Sequence, residues 1–137
     1  MNDEPTSSAP VADPKGIVEE LAVGWVCLGL AGDVDGLVDL YNSDAIFFGS
    51  LPRIFLGHAG VAEYFQTISL ASLQSVRFDW QQAIFITPSV INAGGLVYFG
   101  MEIDGEPASL RFGISWVLSN TGAGWKISAH HASPREL

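Results

Sequence analysis

Hydrophobic and polar positions divide this chain into two stretches with different periods. In the first, Ile17, Leu21, Trp25 and Leu28 recur at helical spacing, and Val18, Ala22 and Val26 widen the stripe. Asp13-Pro14 stands just before it, Asp suited to cap a helix and Pro to open one. The spacing predicts one long helix closed by Gly32, then a shorter one from Asp33 that buries Leu37, Leu40 and Tyr41. Asn42-Ser43-Asp44 reads as a turn, residues 45–48 as a short strand and 51–57 as the return arm of a hairpin. A third helix is expected over 58–68, with Val61, Tyr64, Phe65 and Ile68 on one side.

From Ser75 the period changes to two. Strands are expected at about 76–87, 96–104, 108–119 and 125–131. Pro88-Ser89, Asp104-Gly105 and residues 120–124 separate them, and Gly94-Gly95 reads as a turn. Helices followed by a long antiparallel meander define an α+β chain: three helices packed on one face of a sheet. Residues 1–12 are polar and read as a disordered tail, which leaves 13–137 as a single domain.

Composition narrows the partners. Fifteen acidic residues against six basic ones give a formal charge of −9, which disfavours nucleic acid and anionic membranes. No apolar run is long enough to span a bilayer, and residues 1–13 lack the basic and apolar regions of a signal peptide, so a cytoplasmic location is expected. The single Cys27 precludes an internal disulfide and, within an apolar helical run, reads as a packed thiol. Hydrophobic residues make up 48% of the chain and charged residues only 15%, more apolar surface than one monomer core hides. An internal pocket, an interface between copies, or both should absorb the excess.

The elements and their order resemble the NTF2-like (cystatin-like α+β cone) superfamily, and within it the SgcJ/EcaC-type group related to the calcium/calmodulin-dependent kinase II association domain. The residues that carry the resemblance are Tyr41-Asn42-Ser43-Asp44-Ala45, Phe48-Gly49-Ser50-Leu51 and Gly57 leading to Glu63-Tyr64-Phe65. Arg111-Phe112 ahead of Trp116, Trp125-Lys126-Ile127 and His130-His131-Ala132-Ser133-Pro134 complete it, with Ala132 where the group usually has Ser. The resemblance implies a strongly curved, mostly antiparallel sheet wrapped round the helices, a deep pocket in the cone and a homodimer built through the sheet. It implies no single activity, because the superfamily holds isomerases, dehydratases, cyclases and non-catalytic assembly modules. For the SgcJ branch it implies a place in enediyne polyketide biosynthesis.

The candidate chemistry centres on the last strand. If paired numbers across the 108–119/125–131 hairpin add to an odd constant, Phe112 faces His131 and the imidazole is embedded among aromatics. If they add to an even one, Arg111 and His131 share a face and form an anion clamp. A bulge can reverse the parity, so both registers stay open. Aromatic and apolar residues at alternating positions supply pocket walls: Phe78 and Trp80, Phe99 and Met101, Phe112 and Trp116, with Tyr64 reaching in from the third helix. His130, His131 and Arg111 supply polar contacts, and His131 and Arg111 are the candidates for catalysis.

An isomerase-type site would need an inward carboxylate. Asp44 and Asp104 sit in turn chemistry, whereas Asp79 and Glu102 alternate away from the aromatic face. His58 opens a helix as a cap or exposed residue, and the three histidines lack metal-ligand spacing, so neither metal nor cofactor is expected. The expected role is therefore to bind a small hydrophobic molecule, with or without cyclisation, isomerisation or dehydration of it. The alternative is a non-catalytic association module.

Overall fold

A computed structural model describes residues 13–135. The tail expected over residues 1–12 lies outside them. Helix α1 spans Pro14–Ala31, capped by the Asp13 carboxylate, which accepts from the Gly16 N–H at 3.3 Å. Gly32 ends it in the left-handed region (φ 68°), where a Cβ would be strained. The stripe this helix buries is Val18, Ala22, Trp25 and Gly29, which turns Cys27 to solvent rather than into the core. Helix α2 (Val34–Asp39) is capped by Asp33 in the same way, and α3 spans Gly57–Thr67.

Six strands follow the order β2-β1-β6-β5-β4-β3: β1 Tyr41–Phe48, β2 Phe55–Leu56, β3 Leu73–Thr87, β4 Val90–Ile103, β5 Glu106–Asn120 and β6 Trp125–Arg135. β1 runs parallel to β6 and every other pair is antiparallel, so the sheet is mixed and unclosed, with the three helices against one face. This is the α+β cone expected from the chain.

Three local expectations are corrected. Asn42-Ser43-Asp44 belongs to β1, not to a turn. Its turn chemistry serves a wide irregularity instead: Tyr41 pairs with Ile127 and Ile46 with Ala129, five steps along β1 against two along β6. The Asn42 amide donates to Ser119 Oγ at 2.7 Å and Ser128 Oγ at 2.5 Å, clasping β1 to β5 and β6. The return arm expected over 51–57 shrinks to the two-residue β2. Gly94-Gly95 lies inside β4, where Gly95 faces Trp80 of β3.

Bulges produce the curvature. Gln81 of β3 is an extra residue between the Trp80–Gly95 and Gln82–Gly94 pairs, and Ser128 of β6 is another between the Val117–Ala129 and Leu118–Ile127 pairs. Such bulges bend and twist a strand. The bent sheet folds round Trp25 of α1, which packs edge-on against Phe65 of α3 and Phe78 of β3, at 5.9 and 5.8 Å between ring centres.

Candidate functional site

The β5–β6 register decides which histidine faces the helices. Ser115 pairs with His131 and Trp116 with His130, and the Ser128 bulge shifts the remainder of the hairpin. His130 therefore points inward and is 5% exposed, while His131 is exposed on the outer face, beside Phe48. Arg111 pairs with Tyr98 and Arg135 on that same outer face. The parity is that of the Arg–His clamp, but the clamp is not assembled at the cavity, because both groups lie on the side of the sheet away from the helices.

The inward histidine anchors a polar network. Trp116 Nε1 donates to His130 Nδ1 at 3.0 Å, and the Tyr41 hydroxyl lies 2.9 Å from the same nitrogen. Trp25 Nε1 in turn donates to the Tyr41 oxygen at 3.0 Å. The imidazole stacks on Phe47, with ring centres 4.1 Å apart and planes inclined by 19°. Burial, and secondarily the charge of neighbouring His131, pushes the His130 pKa down to about 3. Burial likewise raises that of Tyr41, which keeps its proton.

A pH dependence of stability follows. Between about pH 3 and 6.5 the unfolded chain binds a proton at residue 130 and the folded chain does not. Unfolding is favoured as the pH falls through that window, by roughly 1–2 kcal/mol per pH unit, and this contribution is flat above 6.5. Urea unfolding of wild type and His130→Phe from pH 5.0 to 7.5 should show a slope in the former that the latter lacks. Equal slopes would place a different group at the origin of the effect.

Beside this network the cone is not filled. A cavity of about 130 Å³ runs from His130, Phe47 and Ala132 past Phe78, Phe99, Phe112 and Ile114. It reaches the exposed Ser50 and Ser69, near the end of α3. Tyr64 contributes to its wall; its hydroxyl accepts from the Ser50 N–H at 3.0 Å and bonds Ser50 Oγ at 2.9 Å. A Cβ on Gly49 would stand 2.5 Å from the Tyr64 ring, so this glycine gives the ring its place.

Of the residues singled out from the chain, His130, Tyr64, Phe78, Phe99, Met101 and Phe112 border the cavity. Trp80 and Trp116 lie behind its wall in the core, Trp80 stacked on Phe78 and Trp116 tilted against it, and His131 and Arg111 are on the other face. Asp44, Glu102 and Asp104 are exposed, Asp104 in a left-handed turn position (φ 52°), and no carboxylate lines the cavity among the described residues. His58 is neither a cap nor free: its Nε2 donates to the Tyr41 carbonyl at 2.6 Å, tying α3 to the start of β1. Trp25, Phe47 and Tyr41 are the site residues that sequence reasoning missed. Their roles depend on contacts across 16 to 89 positions, which no local pattern reveals. Among the described residues no group of three or more His, Cys, Asp or Glu is placed to hold a metal, and no helix is long and apolar enough to cross a membrane.

The SnoaL-like domain family model matches residues 18–135. The chain belongs to the SnoaL-like family. A protein from Xanthomonas campestris described as a calcium/calmodulin-dependent protein kinase II association domain superposes with a TM-score of 0.82 at 16% identity, covering 98% of this chain and 97% of its own. Aln2 from a Streptomyces species gives 0.77 at 9% identity over 93% and 94% of the two chains. A ketosteroid isomerase-like protein from Erwinia carotovora gives 0.76 at 11% over 89% and 96%. At these identities the likeness to all three shows the NTF2-like cone alone. No curated protein sequence matches the chain.

Proposed function

We propose that this SnoaL-like protein binds a small hydrophobic molecule inside the cone, as a component of polyketide-type natural-product biosynthesis in the cytoplasm. The observation that carries this reading is the unfilled cavity, whose walls are apolar and aromatic and whose inner end holds one imidazole. Protein interiors pack to near-crystal density, so an unfilled apolar space of this size is a departure that binding explains. The biosynthetic context rests on the SnoaL-like family and on the SgcJ/EcaC-type residues of the chain, with an enediyne pathway as its most specific form. Bound ligand is shielded from water; a cyclisation, isomerisation or dehydration would need an acid–base partner carried by the ligand or by a second protein, since no carboxylate among the described residues lines the wall.

The test is binding with the cavity open and closed. Native mass spectrometry or thermal shift against hydrophobic monocyclic and polyketide-like compounds should find ligands for the wild type. Ala132→Leu, which projects an isobutyl group into the cavity from β6, should weaken them about 10-fold or more with little change in unfolding temperature. Ligands that bind both forms alike would place the site elsewhere.

The outer sheet face carries the exposed Ile46 and Phe48 beside His131, and we read it as the contact with a second copy in a homodimer. Sedimentation should give twice the chain mass; a larger closed ring would favour the association-module reading instead.

A further inference from the structure

We propose that His130 presents Nε2–H to the cavity as a fixed, uncharged hydrogen-bond donor, and that the ligand is a neutral molecule about one ring in size whose carbonyl-type oxygen accepts from it. The inference deepens the cavity-binding reading and rests on it.

The direction of every hydrogen bond in the network is forced by chemistry. An indole nitrogen can only donate. Trp116 Nε1 therefore donates to His130 Nδ1, which must carry a lone pair and no proton. Trp25 Nε1 donates to the Tyr41 oxygen, so the Tyr41 hydroxyl keeps its own hydrogen and turns it to the same Nδ1. With the single lone pair of Nδ1 shared between these two donors, the proton of the neutral ring resides on Nε2. Protonating Nδ1 as well would break both bonds, in keeping with the depressed basicity of the ring.

Nε2 has no hydrogen-bond partner among the described residues, and it is not one of the fully enclosed unpartnered atoms, which are Trp80 Nε1 and Arg111 Nε. The residue to which it belongs lines the cavity and is 5% exposed. A buried donor without a protein partner favours any ligand that supplies an acceptor.

The walls set the rest of the specification. Among the described residues no Lys or Arg lines the cavity, so a carboxylate or phosphate would be desolvated without a counter-charge; no Asp or Glu among them lines it, so the same holds for a cation. A cavity of about 130 Å³ is close to the engineered protein cavity of about 150 Å³ that accepts benzene. Phe47, Phe78, Phe99 and Phe112 offer ring faces and edges to such a guest. A neutral cyclic ketone or aryl carbonyl meets all of these conditions, and a larger polycyclic molecule could insert only one ring.

Removing His130 would strip the network of its acceptor and threatens folding, so the decisive comparison uses the wild type. Cyclohexanone and methylenecyclohexane have nearly the same shape and differ in a carbonyl oxygen against a CH₂. Their affinities are measured by ligand-observed NMR, each divided by the compound's own water-to-hexadecane partition coefficient to remove the cost of leaving water. The expected result is a normalised preference of about 10-fold or more for the ketone. Long-range ¹H–¹⁵N spectra should show His130 protonated on Nε2, with that resonance moved by the ketone and not by the alkene. A normalised ratio near or below one, or a ring protonated on Nδ1, would overturn the donor assignment while leaving the cavity as a binding site. Failure of both compounds to bind at any accessible concentration would overturn the cavity-binding reading, and this inference with it.

Discussion

His130→Ala is expected to destabilise the fold by about 3–5 kcal/mol, roughly a fifth or more of what a domain of this kind typically possesses. Two losses add. The ring that stacks on Phe47 disappears, and the vacated space joins a cavity already present, so the walls have little to collapse onto. Trp116 Nε1–H and the Tyr41 hydroxyl also lose their shared acceptor at a buried site, and each stranded donor costs roughly 1–3 kcal/mol unless water enters through the enlarged cavity. Water entry would soften this second loss and holds the total within the range given. The neighbouring change His131→Ala removes a side chain from the outer face, exposed in the single chain, and should cost about 1 kcal/mol or less even with that face against a second copy. Urea unfolding of the pair is therefore a direct test of which face each histidine occupies. Similar costs for the two variants would contradict the β5–β6 register.

That register marks the boundary of what could be read from the chain. The helices were legible because their signals are local: Asp13-Pro14 opens α1, Gly32 closes it, and the 3.6-residue period lies between. The alternation after Ser75 located β3 to β6, although β4 starts six residues earlier than expected, because Gly94 and Gly95 mimic a turn while lying inside the strand, Gly95 in close contact with β3. Asn42-Ser43-Asp44 carries true irregular-backbone chemistry, yet the same residue types suit a turn and a wide bulge equally, and only pairing with β6 tells them apart.

At the site, aromatic alternation found Phe78, Phe99 and Phe112 on the cavity wall. Which of two adjacent histidines joined them depended on one extra residue, Ser128, and bulges leave no dependable mark in a sequence. Of the histidine pair, the inward member is the one bonded to an indole and a phenol, with a second indole on that phenol, and the outward member shares its face with Arg111.

Gly95→Ala should be among the most damaging single-methyl changes available in this sheet, at roughly 2–4 kcal/mol. A Cβ at that position would overlap the Asp79 carbonyl oxygen and stand 2.8 Å from Trp80 Cα and 3.0 Å from Gln81 N. These are backbone atoms, so no rotamer change can relieve the contact; β3 itself must move away. The segment that would move is the Gln81 bulge, which bends β3 and carries Phe78 and Trp80 inward. Strain there reaches the cavity wall through Phe78, so the variant should lose ligand affinity along with stability. The adjacent Gly94→Ala is the control: its Cβ would meet only the Ile114 carbonyl, at an ordinary 3.8 Å, and the exchange should be neutral or slightly stabilising because alanine loses less backbone entropy on folding. Thermal unfolding of the two variants separates the explanations. A large loss confined to Gly95 means that the cone's curvature is secured by backbone contact at the bulge; equal small effects would mean that helix packing alone bends the sheet, and that the cavity owes its shape to α1 and α3.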